Sequence, residues 1–312
     1  MKARTSQTKS KSRKTTRKPA KLSQISREKE GFVTSYDGTK IWYKSMGKGT
    51  PIIFCNGLGC STFYWKHIQS YFKKEHQVII FDWRGHGKSN EPANDKNIHL
   101  QALREDLFAV FKALKIKKAI LAGHSMGTQV LYEFYAKYPK KVSALIPICG
   151  SFGKPIDTFY NIPTLKYAFA AIYFFNHTFP GTANKISSLI AKNPFWFQVG
   201  SLLQMMNPGL ADKKVLKEYI EHITSVDPIL FAKMIKSMQK TTAESQLKNI
   251  KVPSLIIAGD HDKFTPLWLS KKTHHLIPKS EILIVRKASH VALIEQPALI
   301  NLRIEKFLHE RL

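Results

Sequence analysis

One nine-residue stretch, residues 119–127, constrains the fold of this chain more than any other part of the sequence. It reads AILAGHSMG, a run of small and branched apolar residues followed by Ser125 between two glycines. The run predicts a buried strand that turns sharply into a helix and exposes the serine on the turn. A Cβ at Gly123 or Gly127 would crowd the neighbouring strand or helix, which explains the glycines. Taken alone, GxSxG also fits an ordinary glycine-bounded turn, so its surroundings must decide between the two interpretations.

Predicted strands and helices alternate on both sides of this stretch. Apolar and polar residues alternate around Asp37-Gly38, which predicts a β-hairpin over residues 31–47. Helical periodicity follows Ser125 and recurs elsewhere in the chain. Buried strands that alternate with helices form a parallel sheet covered on both faces, and ligands bind beyond the carboxyl ends of such strands. Further buried strands are predicted at 51–55, 77–82, 142–150, 253–259 and from 281, and helices at 98–114 and 297–309.

Residues 152–246 break the alternation and predict a helical cap inserted after the sixth strand. Helical patterns cover 162–175, 183–192, 210–223 and 228–238. Most aromatic side chains of the cap are expected to pack its own core, but their number favours an apolar pocket between cap and sheet. These aromatic residues are Phe159, Tyr160, Tyr167, Phe169, Tyr173, Phe174, Phe175, Phe179, Phe195, Trp196 and Phe197. The expected organisation is a tail (1–30), an α/β core (31–151 and 247–312) and this cap.

The net charge of +27 is unusual and has two parts. Residues 1–30 hold eleven Lys or Arg against two Glu, a net +9, so the remainder carries +18. The tail has almost no apolar residues and is expected to be disordered, solvated and weakly attracted to polyanions. An organelle transit peptide is the alternative, but apolar residues at helical spacing are missing. Neither zinc-ligand spacing nor an RNP-like aromatic pattern supports a specific nucleic-acid partner.

Cysteine content and apolar runs indicate where the chain acts. Cys55, Cys60 and Cys149 are an odd and sparse set for a disulfide framework, and apolar neighbours predict buried thiols in a reducing, cytoplasmic setting. No pairing of the CxxC or HExxH type indicates a metal, and no cofactor is expected. No segment offers the roughly 18 to 20 uninterrupted apolar residues of a membrane span. Peripheral contact of a cap helix with an anionic membrane surface stays open.

Five motifs together resemble the α/β-hydrolase superfamily, in particular its lidded branch of esterases and monoacylglycerol lipases. They lie in the order expected of that fold, over a region from about residue 31 to the end of the chain. The matching segments are NGLG at 56–59, DWRGHGKS at 82–89, GHSMG at 123–127, GDHD at 259–262 and SHVALIEQP at 289–297. The resemblance implies an α/β-hydrolase fold with a mostly parallel, twisted sheet, helices on both faces and a helical cap.

The resemblance also implies a catalytic triad. Ser125 would be the nucleophile, His290 the general base and Asp262 the acid that orients the histidine. Asp260 is the other candidate acid, but the family's GxxD spacing favours Asp262, and a capping or loop role is expected for Asp260. His274 and His275 fall within a helical pattern and are expected to be structural.

Two backbone N–H groups, those of Leu58 and Met126, would form the oxyanion hole. The loop of this branch often begins with His-Gly, whereas Asn56 stands first here; an amide can hold a loop by hydrogen bonds as an imidazole can. Hydrogen-bonding or packing roles are expected for His86 and His124. Arg84 resembles a scaffold arginine.

A serine at position 125 also narrows the reaction. Relatives that open epoxides or remove halide carry aspartate there, because their alkyl-enzyme ester must form on a carboxylate. With a cap that carries Met205, Met206, Met234 and Met238, the expected substrate is a small lipophilic carboxylic ester, cleaved through an acyl-serine. Carbon–carbon or thioester cleavage and acyl transfer use the same triad, and a ligand-binding protein on the same scaffold is a third possibility. The oligomeric state stays open.

Overall fold

The described part of the chain forms one eight-stranded sheet that is mostly parallel. A computed structural model describes residues 28–192, 206–207, 209–210 and 213–312. The strand order is β1-β2-β4-β3-β5-β6-β7-β8; β2 runs antiparallel to both of its neighbours and the other pairs are parallel. The strands are β1 Lys29–Thr34, β2 Lys40–Met46, β3 Pro51–Cys55, β4 Gln77–Phe81, β5 Ala119–His124, β6 Val142–Ile148, β7 Ser254–Gly259 and β8 Ser280–Val285.

Helices cover both faces of the sheet and build the cap. The core helices are α1 Lys66–Phe72, α2 Leu100–Ala113 and α3 Met126–Lys137. The cap helices, which lie between β6 and β7, are α4 Pro155–Thr158, α5 Leu165–Thr178, α6 Pro180–Lys192, α7 Lys213–Ser225, α8 Pro228–Lys240 and α9 Glu244–Leu247. The core then continues with α10 Leu267–Leu276, α11 Ala292–Glu295 and α12 Pro297–Arg311. This arrangement confirms the predicted fold class.

Strand β3 shows how the sheet separates two hydrophobic cores. Its apolar residues point alternately to opposite faces, as the pleat requires. Ile53 and Cys55 pack into the core with α2 and α3, whereas Ile52 and Phe54 pack into the core with α1 and α12. A strand buried on both faces must be apolar throughout, which is why these runs could be found in the sequence.

The N-terminal hairpin forms where predicted, but it begins earlier than expected. β1 pairs antiparallel with β2 across Asp37-Gly38. β1 starts at Lys29, and Glu28 forms an ion pair with Lys44 at 2.6 Å. The prediction that the tail extends to residue 30 was therefore wrong by two residues, since strand pairing draws Lys29 and Glu30 into the sheet. Residues 1–27 of the predicted tail lie outside the described residues.

The cap is helical, and its methionines pack the interior. Met206, Met234 and Met238 are buried within the two hydrophobic cores. Met205 and the predicted aromatic residues Phe195, Trp196 and Phe197 lie outside the described residues. All three cysteines are unpaired and buried, as predicted. In the part of the chain that the structure describes, no helix is long and apolar enough to cross a membrane.

Candidate active site

Ser125 occupies a strained turn between β5 and α3. Its backbone has φ 52° and ψ −117°, a combination that non-glycine residues rarely adopt. The Ser125 N–H donates to the carbonyl oxygen of Ile148 at the end of β6, at 3.0 Å. β5 lies between β3 and β6, so the turn projects the serine from the middle of the carboxyl edge of the sheet.

The glycines on either side of Ser125 are required by close packing. A Cβ at Gly127 would lie 2.3 Å from the carbonyl oxygen of Cys55 in β3. A Cβ at Gly123 would lie 2.8 Å from both the backbone of Gly127 and the side chain of Leu131 in α3. The helix can therefore approach the sheet closely only because both positions lack a side chain.

The structure brings Ser125, His290 and Asp262 together in a hydrogen-bonded series. The Nε2 atom of His290 lies 3.0 Å from the Oγ atom of Ser125, and its Nδ1 atom lies 2.9 Å from Oδ2 of Asp262. The histidine is separated from the serine by 165 residues in sequence and from the aspartate by 28. His290 and Asp262 are both buried, so their interaction is shielded from solvent.

A turn after β7 directs Asp262 towards His290. Oδ1 of Asp262 accepts hydrogen bonds from the N–H groups of Phe264 and Thr265, both at 2.8 Å. Oδ2 accepts from the Thr265 hydroxyl at 2.7 Å as well as facing the histidine. The carboxylate of Asp260 instead lies 3.8 Å from the Arg286 guanidinium. The geometry therefore selects Asp262 as the partner of His290.

The NGLG loop passes directly beside Ser125. Asn56 is fully buried; its Nδ2 donates to the Phe81 carbonyl oxygen at 2.7 Å and its Oδ1 accepts from the indole N–H of Trp65. The amide thus anchors the loop, as the sequence suggested. A Cβ at Gly57 would lie 3.2 Å from Cβ of Ser125, which shows how closely the loop approaches the serine.

The two predicted oxyanion donors lie on either side of this contact. Leu58 follows Gly57 in the loop, and Met126 is the first residue of α3. Within the described residues, the N–H groups of Leu58 and Met126 donate to no protein acceptor. Both amides therefore have free hydrogen-bonding capacity next to the serine.

Two buried histidines form hydrogen bonds with the loops around the site. His86 Nδ1 donates to the Arg84 carbonyl oxygen at 3.0 Å, and its Nε2 accepts from the Gly59 N–H at 3.1 Å, which fixes the NGLG loop. Nε2 of His124 lies 3.0 Å from the carbonyl oxygen of His290, which can only accept, so that nitrogen carries the hydrogen. Burial lowers the pKa of His86 to about 4 and that of His124 well below its usual range. Both rings are neutral hydrogen-bonding groups.

Glu295 supports the His290 loop and had no predicted role, although its EQP segment was part of a motif. Its carboxylate accepts from the N–H and hydroxyl of Ser289 at 2.7 and 2.6 Å and from the N–H of Asn207, a cap residue, at 2.6 Å. Burial raises the pKa of this carboxyl group. A glutamate among apolar residues is a signal that the sequence contains. The sequence does not indicate which residues donate hydrogen bonds to this glutamate.

Tyr64 is a second residue near the site that the sequence did not identify. Its hydroxyl lies 3.1 Å from Nε2 of His124, in a fully buried position. It sits in a short 3-10 helix, Thr62–Trp65, that carries no local sequence signal of function.

Arg84 is a scaffold residue, as expected. Its side chain is fully buried. Nε and Nη2 donate to the two carboxylate oxygens of Asp106 at 2.8 and 2.6 Å, and Nη1 donates to Asp37 at 2.7 Å. This network joins the hairpin turn, the loop after β4 and α2.

Aromatic rings connect the cap with the triad. The ring of Phe264 stacks on His290 with a centroid distance of 4.9 Å, and Phe159 packs edge-on against Phe264 at 4.6 Å. Phe169 of α5 in turn packs against Phe159 at 5.5 Å. A separate cavity of about 500 Å³ lies beside Trp42 and is not lined by Ser125. The apolar pocket between cap and sheet stays a prediction.

The class of this protein is defined by its fold. The sheet is mostly parallel, a serine lies on a strained turn at its carboxyl edge, and helices form a cap. A family model described as the alpha/beta hydrolase fold matches residues 50–297, and the chain belongs to the α/β-hydrolase family. The eight-stranded, mostly parallel sheet follows that fold.

Three proteins illustrate what the chain is similar to, each at an identity of 26% or less. It is 25% identical to human Protein ABHD8 over 263 residues, which are 82% of this chain and 54% of that protein. The chain thus spans about half the length of this relative. It is 26% identical to the bifunctional esterase/perhydrolase DCH of Acinetobacter calcoaceticus, over 81% of this chain and 90% of that protein. A thermophilic esterase from Thermogutta terrifontis has a TM-score of 0.73 at 20% identity, covering 90% of this chain and 98% of that one, and shows the shared fold.

Proposed function

We propose that the protein is a serine hydrolase that cleaves a lipophilic carboxylic ester through an acyl-serine intermediate. One observation carries the proposal: Ser125 Oγ, His290 and Asp262 form a continuous hydrogen-bonded series, with distances of 3.0 and 2.9 Å. A serine is a weak nucleophile unless an adjacent base removes its proton, and a third group must hold that base in the correct tautomer. The three residues meet both requirements.

In the first half of the reaction the serine would attack the ester carbonyl. His290 Nε2 would take the Ser125 Oγ proton as the new C–O bond forms, while Asp262 would accept a hydrogen bond from the Nδ1–H group, remain ionised and stabilise the imidazolium. The N–H groups of Leu58 and Met126 would bind the negative charge that develops on the carbonyl oxygen. His290 would then return the proton to the departing alkoxide, and the acyl group would remain on Ser125.

The second half would regenerate the enzyme with water. His290 would remove a proton from a water molecule, which attacks the acyl carbonyl through a second tetrahedral intermediate held by the same two amides. Collapse of that intermediate would release the carboxylic acid and return the proton to Ser125 Oγ. No cofactor takes part in these proposed steps.

Three observations favour an ester substrate, and the first of them favours an apolar acyl or alcohol part. Phe264 stacks on His290, and Phe159 extends the aromatic surface away from the triad towards the cap. Among the relatives, the protein from Acinetobacter calcoaceticus is named as an esterase/perhydrolase. A serine at position 125 also favours acyl chemistry over the alkyl-enzyme chemistry of relatives with an aspartate nucleophile.

Active-site labelling tests the proposal. We expect a fluorophosphonate probe to label the protein at Ser125 and Ser125→Ala to abolish labelling. Ser70→Ala is the matched control, because Ser70 is exposed on α1 and donates only to the Lys66 carbonyl oxygen. With p-nitrophenyl esters of graded chain length, His290→Ala and Asp262→Asn should lower kcat on the order of 10³-fold or more. Labelling at another serine, or full ester turnover by Ser125→Ala, would refute the assignment.

The same triad could serve a different acyl chemistry. Cleavage of a carbon–carbon bond or a thioester, or transfer of the acyl group to an alcohol, would begin with the same Ser125 attack. A substrate panel that includes thioesters, 1,3-dicarbonyl compounds and competing alcohols separates these reactions from ester hydrolysis. A ligand-binding protein without catalytic activity would bind esters but show no burst of product.

A further inference from the structure

Helix α5, Leu165–Thr178, has an apolar composition that its burial does not explain. Its sequence is LKYAFAAIYFFNHT, which is apolar nearly all the way round the helix. A helix of that kind is normally buried in a core or in lipid. All fourteen residues of α5 are described, yet none of their side chains is buried. Contacts with the described residues therefore leave most of this helix uncovered.

Among the described residues, the outer face of α5 is the part that protein contacts leave most exposed. Leu165, Phe169 and Tyr173 recur at helical spacing on the half-buried inner side. Tyr167 and Phe174 lie two turns apart on the opposite side and are 67% and 68% exposed. Other exposed apolar side chains on α5, on α6 and next to them are Ile162, Ile172, Phe175, Phe179, Ile186 and Leu189. We call these eight residues the outer cap face.

The sequence segment that carries the outer cap face has charged side chains of one sign. Between Asp157 and Asp212 the sequence contains no acidic residue, whereas Lys166, Lys185 and Lys192 lie in that interval. Nζ of Lys166 lies 5.3 Å from the Tyr167 ring centroid. Basic residues among exposed aromatic and aliphatic side chains fit an anionic, apolar surface rather than an acidic protein groove, because both the lysines and the apolar rings find partners there.

We propose that the outer cap face binds the surface of an anionic lipid bilayer. The fourteen-residue helix is too short to span the hydrocarbon core, so it lies in the interface, with its apolar rings among the acyl chains and its lysines at the headgroups. Tyrosine suits that depth because its ring is apolar and its hydroxyl is polar. The proposal concerns binding and is independent of the proposed catalytic activity.

The inner side of α5 connects the proposed membrane contact with the candidate active site. Phe169 begins the aromatic series that continues through Phe159 and Phe264 to His290. A lipophilic ester that leaves the bilayer beside α5 would therefore meet an apolar route to the triad. This consequence rests on the proposed function, whereas the membrane contact does not.

Two labelled variants of the 312-residue chain test the contact directly. All three native cysteines are buried, so Phe174→Cys can carry a polarity-sensitive fluorophore, and Leu302→Cys on α12, where Leu302 is 58% exposed, is the matched control. We expect phosphatidylcholine vesicles that contain phosphatidylserine to shift the emission of the label at 174 to the blue. The label at 302 should not respond. A label at 174 that is already blue-shifted without vesicles would refute the proposal, because the face would then be covered by protein.

Vesicle flotation measures the contribution of the face to binding. Tyr167→Gln/Phe174→Gln should weaken partitioning on the order of tenfold or more, because two aromatic side chains lose their apolar contact. Leu299→Gln/Leu302→Gln, at two exposed positions of α12, should bind as the wild type does. Ser125→Ala should also bind normally, which separates this test from the test of catalysis.

Three further outcomes would overturn the proposal. The wild type could fail to bind anionic vesicles, or Tyr167→Gln/Phe174→Gln could bind equally well, in which case the basic residues of the tail account for the attraction. The third is a concentration-dependent dimer, seen by analytical ultracentrifugation without lipid and lost in the same variant, which would make the face a contact between two copies. Near-ultraviolet circular dichroism checks that the double variant is folded. If the double variant does not fold, the fluorescence of the label at position 174 decides whether the face contacts the bilayer.

Discussion

Substitution of Glu295 tests how the loop that carries His290 is held. The carboxylate accepts three hydrogen bonds, two from Ser289 and one from Asn207, at 2.6 to 2.7 Å. In Glu295→Gln the amide oxygen can keep the two donors at Oε1, but the NH₂ group must then face the Ser289 N–H. A buried N–H without an acceptor costs about 1–3 kcal/mol, and we expect a loss of stability of that size in urea unfolding.

The effect on activity should exceed what the loss of stability alone explains. Ser289 precedes His290, so a loosened loop displaces the imidazole relative to Ser125, and a misplacement of about 1 Å can cost on the order of 10²-fold in rate. We therefore expect Glu295→Gln to lower kcat by about 10- to 100-fold with little change in KM. Stopped-flow ester turnover and the rate of fluorophosphonate labelling both measure this effect.

The neighbouring residue provides the control. Gln296 is partly exposed, and its side chain donates only to the Arg286 carbonyl oxygen, at 2.7 Å. Gln296→Ala should change stability by no more than about 0.5 kcal/mol and leave kcat unchanged. A wild-type kcat in Glu295→Gln, or a change confined to KM, would refute the positioning role of Glu295.

Three other predictions concern the scaffold of the site. Arg84→Met should destabilise the protein by about 3–5 kcal/mol in urea unfolding, because Asp106 is left as an uncompensated buried charge; recovery in Arg84→Met/Asp106→Leu supports this cause, and a loss below about 1 kcal/mol contradicts it. Gly127→Ala should abolish soluble expression or fluorophosphonate labelling, since its Cβ would meet the Cys55 carbonyl oxygen at 2.3 Å, and normal labelling would show that the turn can relax. The pKa of His86 is lowered to about 4 in the folded state, so the unfolded chain takes up the proton first as the pH falls. His86 alone should therefore lower the stability by about 3 kcal/mol between about pH 6.5 and pH 4, and the dependence of stability on pH should be weaker by about this amount in His86→Gln.

The strands and helices could be predicted because their signals are local. Strands buried on both faces must be apolar throughout, and PIIFC and AILAGH meet that requirement. Asp37-Gly38 lies at the turn of the first hairpin, where glycine adopts φ 87°. The boundary of the tail was harder to predict, because Lys29 and Glu30 are polar residues of an edge strand and resemble the preceding tail in composition.

A residue of the candidate site could be predicted only where the local sequence pattern around it is typical of one structural role. A serine between two close-packed glycines has a recognisable pattern, and His290 follows a strand in a motif. Glu295 and Tyr64 act through partners distant in sequence: the Glu295 carboxylate contacts Asn207, 88 residues away, and the Tyr64 hydroxyl contacts His124, 60 residues away. Local periodicity carries no information about such pairs.

The sequence by itself determined that buried strands alternate with helices, that Ser125 stands on a tight turn, and that an acid and a histidine follow in the order of the family. The family's spacing favoured Asp262 over Asp260, and the tertiary structure shows Asp262 facing His290. Only the tertiary structure decided that Glu295 joins the histidine loop to the cap and that α5 leaves an apolar face exposed. The physical reason is that strand and turn preferences depend on neighbouring residues. Convergence of side chains and exposure of a face depend instead on the order in which the strands pair and on how the cap packs over them.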